Sequence, residues 1–472
     1  MTWDWVIWLY LASVFLLGVL AVRYVKDFGD FIYGGGRLGL LLLGGTVVAT
    51  QWGGVTFLGI AGFSYENLYQ GVWYALGPSV RFLFWAFLLA VAIRKVQPYT
   101  VSEWFALRYD NKNGVVSSIL NAVTGLGLLG AQFVAFGAIA SQFFGWDLTS
   151  GIVIGAVIVI VYTVAGGFFA VAYTDTLQSF LALAGGVAVV IGSIRTFGSM
   201  ADVRQELPTE YFDPAEPWGF LFMLTIFMLW LADLPLQNNV QRMSGARNVK
   251  TAYWAAIIGG LSYVLVFYVT PALGAYARLA QPDLESPDAA YPALIQAVLP
   301  TGVAAFVAAS LLAVVMSSAD SYLSAPASVL TNDLYRVWRP GSSQTEILWV
   351  TRGFTLAFAV LAILAALAFQ VIIELILTFL TIGWAMLPAY FASTMWRRAS
   401  ANAAFASMLV GAGVNAYLVT FPPAAFSDYP SYYTGWIGFS LALIILIAAS
   451  LLWPDASGTV EDRRALTSLP PQ

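Results

Sequence analysis

The chain has 472 residues, of which 60% are hydrophobic and 10% are charged, and its formal net charge is −4. Soluble domains carry about a quarter charged residues, so this composition and a mean hydropathy of +0.79 indicate an integral membrane protein without a nucleic-acid partner. The chain has no cysteine and no histidine, which excludes thiol chemistry and removes the commonest transition-metal ligand. We therefore expect no enzyme active site, and we expect any cation to be bound by carboxylates, hydroxyls and carbonyls.

Apolar stretches of about 20 residues, each long enough to cross a bilayer, predict an all-α fold with about thirteen membrane-spanning helices. The first stretch has no basic region before it and no small-residue cleavage site, so we interpret it as a retained helix rather than a signal peptide. The predicted spans, numbered 1 to 13 in chain order, lie near residues 4–22, 40–63, 71–94, 116–142, 149–164, 170–195, 217–239, 252–275, 302–330, 348–369, 371–394, 402–420 and 434–453.

Basic residues are concentrated in alternate loops, and cytoplasmic loops are the ones enriched in lysine and arginine. The opposite loops hold only Arg195, Arg204 and Arg278. This distribution predicts a multi-pass protein of the cell membrane (plasma or inner), with its N-terminus outside and its C-terminus in the cytoplasm. The basic loops contain Arg23, Lys26, Arg37, Arg94, Lys95, Arg108, Lys112, Arg242, Arg247, Lys250, Arg336, Arg339, Arg397, Arg398, Arg463 and Arg464.

Two predicted spans contain residues that interrupt a helix. Span 2 has Gly53 and Gly54 at its middle, and span 7 has Asp233, Pro235 and Gln237 in place of apolar residues. A Gly–Gly pair alone is also typical of tight helix packing, but broken helices in membranes commonly face a cavity. Because the two spans are five helices apart, spans 2–6 and 7–11 are predicted to form two five-helix repeats of opposite topology, with a substrate site between them.

The predicted organisation follows from these repeats. The outside loops are acidic and rich in proline, and they are predicted to be short caps rather than domains. The segments are a peripheral N-terminal helix and loop at 1–37, the first repeat at 38–195, an outside loop at 196–216, the second repeat at 217–395, two peripheral helices at 396–453 and a cytoplasmic tail at 454–472.

Span 9 carries Ser317, Ser318, Asp320 and Ser321 at membrane depth. A packing seam of small residues, with the serines bonded to their own helix, is one explanation. The other is a cation site, because hard cations such as Na⁺ prefer oxygen ligands. Carbonyls freed at 49–52 by the break in span 2 would complete, with the two adjacent hydroxyls, a neutral cage of about five oxygens that also releases the ion readily.

Asp175 is predicted to lie about 12 Å above the inner end of span 6, at 1.5 Å per residue, which is a depth compatible with Ser318. Asp175 and Asp320 could hold a second cation or share one proton, since close carboxylates in a low dielectric do not both ionise unpaired. Alternatively, Asp175 braces a tight turn predicted at Gly166–Gly167, and Asp320 faces the cytoplasmic vestibule. Arg81 and Asp233 are two further intramembrane charges, and they form either a structural ion pair or contacts with a charged substrate.

Five stretches of the sequence carry motifs of a known family. They are FIYGGGRLG near the start, YTVSEWFALRYD at 99–110, YTVAGGFFAVAYTDTLQ at 162–178, NVQRMSGARNVKTA at 239–252 and VMSSADSYLSAPASVLTNDLYR at 315–336. In these motifs the chain resembles the sodium:solute symporter family, which shares the LeuT fold. The resemblance covers nearly all of the chain and implies an inverted five-plus-five repeat with broken helices 2 and 7.

Carried onto matching positions, the resemblance implies a Na⁺ site whose ligands agree with the oxygen cage described above. Backbone oxygens of Ala49 and Trp52 would join the carbonyl of Val314 and the hydroxyls of Ser317 and Ser318.

The resemblance also implies that some members of the family bind two sodium ions. In those members the second ion is held by the aspartate matching Asp175 and by serines matching Asp320 and Ser321. This chain has Asp320 where those members have serine. A second Na⁺, a proton or no cation at this position therefore all stay open.

Sugar-carrying members have a glutamate early in span 3, a glutamine in span 2 and a lysine in span 8. The matching positions here are Ala75 and Thr56, and span 8 has no lysine, which disfavours a sugar. The resemblance implies a substrate pocket between spans 2, 3, 7 and 11, near Gln51, Thr56, Tyr74, Asp233, Gln237 and Trp384.

The sequence thus predicts a Na⁺-coupled symporter that imports a small organic solute by alternating access. An amino acid, a carboxylate or a related zwitterion is favoured as the solute, and the lipid bilayer is the other expected partner. A proton-coupled symporter that uses Asp175 and Asp320 is one alternative. A transporter-like membrane sensor or channel is another.

Overall fold

A computed structural model of the chain describes residues 32–213, 219–426 and 429–455, together with eight of the first sixteen. The regular secondary structure of this described part is helical, apart from one isolated β-bridge between Leu38 and Ala246. Predicted span 1 falls largely outside the described residues, and so does the tail from residue 456 onward.

The helices are numbered here in chain order. They are α1 Leu40–Gln51, α2 Val55–Glu66, α3 Gly71–Phe87, α4 Ala90–Val96, α5 Val101–Arg108, α6 Asn111–Phe144, α7 Leu148–Phe197, α8 Met200–Glu206, α9 Gly219–Leu231, α10 Gln237–Gly245, α11 Val249–Ala280, α12 Ala290–Val298, α13 Thr301–Trp338, α14 Gln344–Phe369, α15 Ile372–Met395, α16 Ala401–Thr420 and α17 Ser431–Leu452.

Within the described residues, eight helices are long and apolar enough to cross a membrane, or ten if the bent pairs α1–α2 and α3–α4 each count as one span. Two shorter apolar helices lie at Leu148–Val161 and Gly219–Leu231. The all-α membrane fold is therefore confirmed, whereas the count of thirteen stays a prediction.

The two interrupted helices are present where the glycines and the proline predicted them. The helix of span 2 stops at Gln51 and resumes at Val55 with a bend of 46°. The helix of span 7 ends at Leu231, and five non-helical residues separate it from Gln237, where the next helix begins. Pro235 contributes to this second break because proline has no N–H to donate within a helix.

The predicted tight turn at Gly166–Gly167 is wrong. Helical backbone runs without interruption through these residues as part of α7, which has 50 residues. A straight helix of that length would extend about 75 Å, more than twice the hydrocarbon core of a bilayer, which is about 30 Å thick. Of its two apolar segments, Val171–Phe197 is long enough to count as a span, and Leu148–Val161 is shorter. Glycine weakens a helix by about 1 kcal/mol relative to alanine, but a Gly–Gly pair does not by itself end one.

The centre of the bundle is formed by α6 and α13. In each of them 83% of the most apolar window is buried, against 28% in α14 and α17. The helices α14 and α17 therefore line the periphery, and polar groups on α13 lie deep inside the protein, where water cannot satisfy them.

The segment between α11 and α13, which the sequence predicted to be a short outside cap, is partly helical and closely packed. It contains α12, whose Tyr291 is fully buried, and it packs on α2 so closely that a Cβ atom on Gly62 would lie 2.4 Å from the carbonyl oxygen of Pro287. The buried carboxylate of Asp288 accepts a hydrogen bond of 2.9 Å from the backbone N–H of Ile372, at the start of α15.

Candidate ion and substrate sites

The break between α1 and α2 directs three consecutive carbonyl groups away from their own helix. In a continuous helix the N–H of Gly54 would bond the carbonyl of Thr50, but it donates instead to the side-chain Oε1 of Gln132 on α6, at 2.8 Å. The carbonyl of Gln51 accepts from the hydroxyls of Thr56 (2.7 Å) and Tyr263 (2.6 Å). The carbonyls at 49 and 50 are left to face α13.

The paired serines of α13 meet these carbonyls. The hydroxyl of Ser317 lies 3.1 Å from the carbonyl oxygen of Ala49 and 2.8 Å from that of Val314. The hydroxyl of Ser318 lies 2.8 Å from the carbonyl oxygen of Thr50 and 3.4 Å from that of Ala49. Five uncharged oxygens therefore gather at one buried place, and oxygens of this kind are the ligands that alkali cations use in proteins.

Two glycines allow this approach. A Cβ atom on Gly53 would lie 2.5 Å from the hydroxyl oxygen of Ser318, and one on Gly54 would lie 2.3 Å from the Cβ of Ala135. Distances this short are impossible for real side chains, so α13 and α6 reach the broken segment only because these positions lack side chains.

Four of the five predicted Na⁺ ligands, Ala49, Val314, Ser317 and Ser318, come together in this way. Trp52 donates its backbone N–H to the carbonyl of Val48 at 2.9 Å, and its ring packs edge-on against Phe57. A role for its carbonyl in binding the ion stays a prediction. The carbonyl of Thr50, which the sequence analysis did not single out, is the second α1 carbonyl within hydrogen-bond distance of the serines.

A second buried cluster surrounds Asp175, next to the first. The hydroxyl of Thr46 donates to the Oδ2 of Asp175 at 2.5 Å, and the hydroxyls of Thr50 and Ser321 lie 3.1 Å apart. The hydroxyl of Ser321 also lies 3.3 Å from the carboxylate of Asp320. These contacts place Asp175, Asp320 and Ser321 in one neighbourhood, and their use as a second cation or proton site stays a prediction.

Arg242 is the main residue of this cluster that the sequence analysis misplaced. It was assigned to a basic cytoplasmic loop, but it lies on α10 and is only 1% exposed. Its guanidinium donates to the hydroxyl of Ser321 at 2.8 Å and to that of Thr50, and its Nη2 lies 3.6 Å from the Oδ2 of Asp175. The polar run before Arg242 resembles the end of a span, which is why local sequence did not reveal its burial.

A third cluster joins the two broken helices through a buried ion pair. Arg81 on α3 pairs with Asp233 in the break after α9, and its Nη2 donates to the Oε1 of Gln51 at 2.6 Å. The side-chain amide of Asn239 donates to the backbone carbonyl of Asp233 at 2.6 Å and to its carboxylate at 3.1 Å. The amide of Gln51 lies 3.5 Å from Asn239. The predicted pairing of Arg81 with Asp233 is present.

The other predicted substrate residues lie at different distances from this ion pair. Thr56 is close, because its hydroxyl bonds the carbonyl of Gln51. Tyr74 packs against Phe63 and Phe222, and Trp384 packs against Trp436 and Phe439 of α17. Gln237 uses its amide to bond the backbone of Tyr99 and Val101. The contacts of Tyr74, Gln237 and Trp384 do not join them to the ion pair, and their substrate roles stay predictions.

The sequence profile of the sodium:solute symporter family matches residues 31–411. The chain belongs to the sodium:solute symporter family. This membership, together with the apolar helices, makes it a multi-pass membrane protein that couples the transport of a small solute to sodium, and not an enzyme.

Relatives of this symporter carry different solutes. It is 26% identical over 481 residues to the sodium/proline symporter of Haemophilus influenzae, covering 94% of this chain and 93% of that protein. It is 27% identical over 428 residues to the sodium/pantothenate symporter of the same organism, covering 86% and 88%. It is 27% identical over 459 residues to sodium/myo-inositol cotransporter 2 of Rattus norvegicus, covering 85% and 68%.

A solved structure supports the fold. A Na⁺-coupled sialic acid symporter in a substrate-bound outward-open state superposes with a TM-score of 0.80 at 21% identity, covering 95% of this chain and 98% of that one. The nucleobase-cation-symport-1 transporter Mhp1, in a closed conformation, superposes with a TM-score of 0.57 at 16% identity, covering 92% and 98%. Both likenesses concern the fold alone.

Proposed function

We propose that this symporter imports a small zwitterion of the amino-acid type together with Na⁺, across a cell membrane in which its C-terminus is cytoplasmic. The Na⁺ would lie at the break between α1 and α2, held by the carbonyls of Ala49, Thr50 and Val314 and by the hydroxyls of Ser317 and Ser318. Without the ion these hydroxyls donate to the carbonyls. On binding, each hydroxyl would rotate its lone pair toward the ion and its hydrogen away from it.

The buried pair of Arg81 and Asp233 is the observation that supports a zwitterion. Both side chains are at most 1% exposed, and the pair lies between the interrupted helices. Removing one partner of a buried ion pair costs roughly 3–5 kcal/mol because the other charge is left uncompensated. A carboxylate facing Arg81 and an ammonium facing Asp233 would replace both partners at once.

A neutral polyol could replace neither partner of this pair. Its hydroxyls can bond charged groups, but separating the two charges in a low dielectric would remain uncompensated. The relatives do not decide the matter by overall similarity, because the proline, pantothenate and myo-inositol carriers are all 26–27% identical to this chain. The charged pair therefore carries the argument for a zwitterion.

Coupling between ion and solute would arise in the segment 49–51. Ala49 and Thr50 face the proposed Na⁺ site through their carbonyls, and Gln51 bonds Arg81 of the proposed solute site. A sodium ion that orders this segment would prepare the solute site, and a solute that orders it would prepare the Na⁺ site. Such coupling of binding free energies is reciprocal by linkage.

A thermal-shift experiment on the purified protein tests this function. L-proline, pantothenate and myo-inositol would each be added in NaCl or in choline chloride, and the midpoint of unfolding measured. We expect an amino acid to raise the midpoint only in NaCl, because a ligand stabilises the state that binds it. Stabilisation by myo-inositol and not by L-proline would contradict the proposal. Uptake driven by a pH gradient without Na⁺ would favour proton coupling.

A further inference from the structure

A cavity of about 200 Å³ lies beside the break between α1 and α2, where α7 and α11 approach it. Its wall is apolar apart from two polar groups. One side of the wall is formed by side chains that are 42–53% exposed, those of Leu183, Val187, Ile191 and Leu265. Because these side chains lie on apolar helices, the cavity opens toward the lipid, and an apolar molecule can enter it from the membrane.

The two polar groups in the wall have no hydrogen-bond partner among the described residues. They are the indole N–H of Trp52 and the hydroxyl of Thr270, and both side chains are at most 5% exposed. A buried tryptophan N–H usually has a partner, and an unsatisfied buried polar group in a native structure requires an explanation. A bound molecule with a polar atom in the cavity would provide one.

The neighbouring cavity along α1 differs in this respect. It has a volume of about 590 Å³ and shares part of its wall with the first cavity, including Trp52. Its other polar side chains are satisfied, because the hydroxyls of Thr176, Ser179 and Ser262 each donate to a carbonyl of their own helix. The place for a polar head is therefore the smaller cavity, and the larger one offers room for an apolar tail.

We propose that the smaller cavity binds an uncharged amphiphile from the membrane, with one oxygen atom and an alkyl chain, and that its binding slows transport. The indole N–H of Trp52 only donates, whereas a hydroxyl both donates and accepts, so a single alcohol oxygen can satisfy Trp52 and Thr270. A charged head would be costly within such an apolar wall. An apolar cavity of about 150 Å³ is enough to bind benzene, so a chain of about six carbons fits here.

The position of Trp52 explains the effect on transport. It follows directly on the segment 49–51, and its ring packs edge-on against Phe57 on the other side of the break. A molecule held between this ring, α7 and α11 stabilises the packed form of the break, since a ligand favours the state that binds it better. The binding stands on the cavity alone, whereas the effect on transport rests on the proposed function.

Photolabelling of the symporter in proteoliposomes, with an octanol that carries a photoreactive diazirine, tests the site. Mass spectrometry should show saturable labelling of the wild type within 182–191 and 265–270. Hexanol should reduce this labelling at about one fifth of the membrane concentration that hexane requires, because a net hydrogen bond contributes about a factor of five to affinity.

Three variants sharpen the test. Gly186→Leu fills the cavity from α7, where a Cβ atom would contact only the ring of Phe57, at 3.8 Å, in the part of the chain that the structure describes. It should lose the saturable labelling, and hexanol should no longer slow its uptake relative to its own rate without alcohol. Gly413→Leu, where a Cβ would meet nothing within 4 Å, is the matched control and should respond as the wild type does. Thr270→Val removes the hydroxyl and should weaken competition by hexanol about fivefold.

The outcomes separate this inference from the proposed function. Wild-type labelling that spreads over the lipid-facing residues and is not reduced by hexanol would overturn the site, and this result does not depend on whether a variant folds. Equal saturable labelling of the wild type and Gly186→Leu would also overturn it. Saturable labelling without any slowing of wild-type uptake by hexanol would keep the site and overturn its effect on transport. A wild type without Na⁺-dependent uptake would overturn the proposed function and leave the labelling result standing.

Discussion

The hydroxyl of Ser318 lies 2.8 Å from the backbone carbonyl oxygen of Thr50, which is 268 residues earlier in the chain. This contact exists because the N–H of Gly54, the usual helical partner of that carbonyl, is held by Gln132. The contact therefore depends on the relative position of three helices, α1, α6 and α13. A cation bound here would stabilise the arrangement in which all three are together, which is how an ion can select one state of a transporter.

Replacing both serines of the proposed ion site should abolish Na⁺-stimulated uptake. Each hydroxyl that contacts a charge contributes about 1.5–3 kcal/mol, so Ser317→Ala with Ser318→Ala should lower Na⁺ affinity about a hundredfold or more. Uptake into proteoliposomes as a function of Na⁺ concentration measures this.

The matched control is Ser310→Ala with Ser328→Ala, because these buried serines of the same helix bond carbonyls of their own helix. The control should transport as the wild type does. If the variant Ser317→Ala, Ser318→Ala shows the same dependence of uptake on Na⁺ concentration as the wild type, the ion does not bind at these serines.

A methyl group at Gly53 should weaken Na⁺ binding without removing any ligand. Its Cβ would lie 2.5 Å from the hydroxyl oxygen of Ser318, so the helices must separate, and overpacking of this kind costs about 1–3 kcal/mol. We expect Gly53→Ala to raise the Na⁺ concentration for half-maximal uptake about tenfold. Gly413→Ala is the control, since a Cβ there would meet nothing within 4 Å. An unchanged Na⁺ response in Gly53→Ala would show that the serines need no close contact with α1.

The two helix breaks and the paired serines could be predicted because their signals are local. Gly53 and Gly54 weaken a helix wherever they occur, and Pro235 removes a hydrogen bond from its own turn. Adjacent hydroxyls at Ser317 and Ser318 in an apolar run are costly unless they have a partner. Each of these signals lies within one turn of helix, so no knowledge of distant contacts was needed.

Arg242 and Gln132 could not be placed on the same basis. The partners of Arg242 lie on three other helices, at Thr50, Asp175 and Ser321. Only the packing of those helices provides the contacts that compensate for burying its charge. Gln132 did carry a signal, since it is an amide within the apolar helix α6. Nothing in the sequence, however, linked it to the N–H of Gly54. An aromatic residue in an apolar helix, such as Trp384, indicates even less about which neighbour it contacts.

Paired substitutions should separate a structural role of the Arg81–Asp233 pair from a role in binding solute. Asp233→Asn alone leaves Arg81 uncompensated and should lower stability on the order of 3 kcal/mol. Arg81→Gln with Asp233→Asn replaces both charges by amides that can bond each other, and stability should largely recover. Uptake should recover in neither variant. Thermal unfolding and solute uptake on the same preparations measure the two effects, and a double variant that transports would leave the pair with a purely structural role.

The segment between α11 and α13 should pack more tightly at low pH because of Asp288. Burial, and to a lesser extent the nearby charge of Glu66, raise the pKa of this carboxyl from 3.8 to about 7 against the opposing hydrogen bond from Ile372. Between about pH 4 and 7 the packed segment keeps a proton that the released segment loses, so packing weakens as pH rises through this window and stays weak above it.

Asp288→Asn should remove this dependence, because the amide oxygen still accepts from Ile372 and carries no charge. The unfolding midpoint of the wild type should therefore fall relative to that of the variant as pH rises from about 4 to 7. Asp283→Asn, at an exposed carboxylate of the same segment, should follow the wild type. Parallel midpoints for wild type and Asp288→Asn across this range would refute the assignment.

Three residues in a row at the end of α1 each face a different neighbour. Ala49 faces Ser317, Thr50 faces both Ser318 and Arg242, and Gln51 faces Arg81. Only a single peptide unit therefore separates the residue assigned to the sodium ion from the residue assigned to the solute. Coupling between the two sites then needs no chain of contacts through the helix bundle. Slippage, the passage of one cargo without the other, should accordingly arise from changes in this tripeptide more readily than from changes elsewhere.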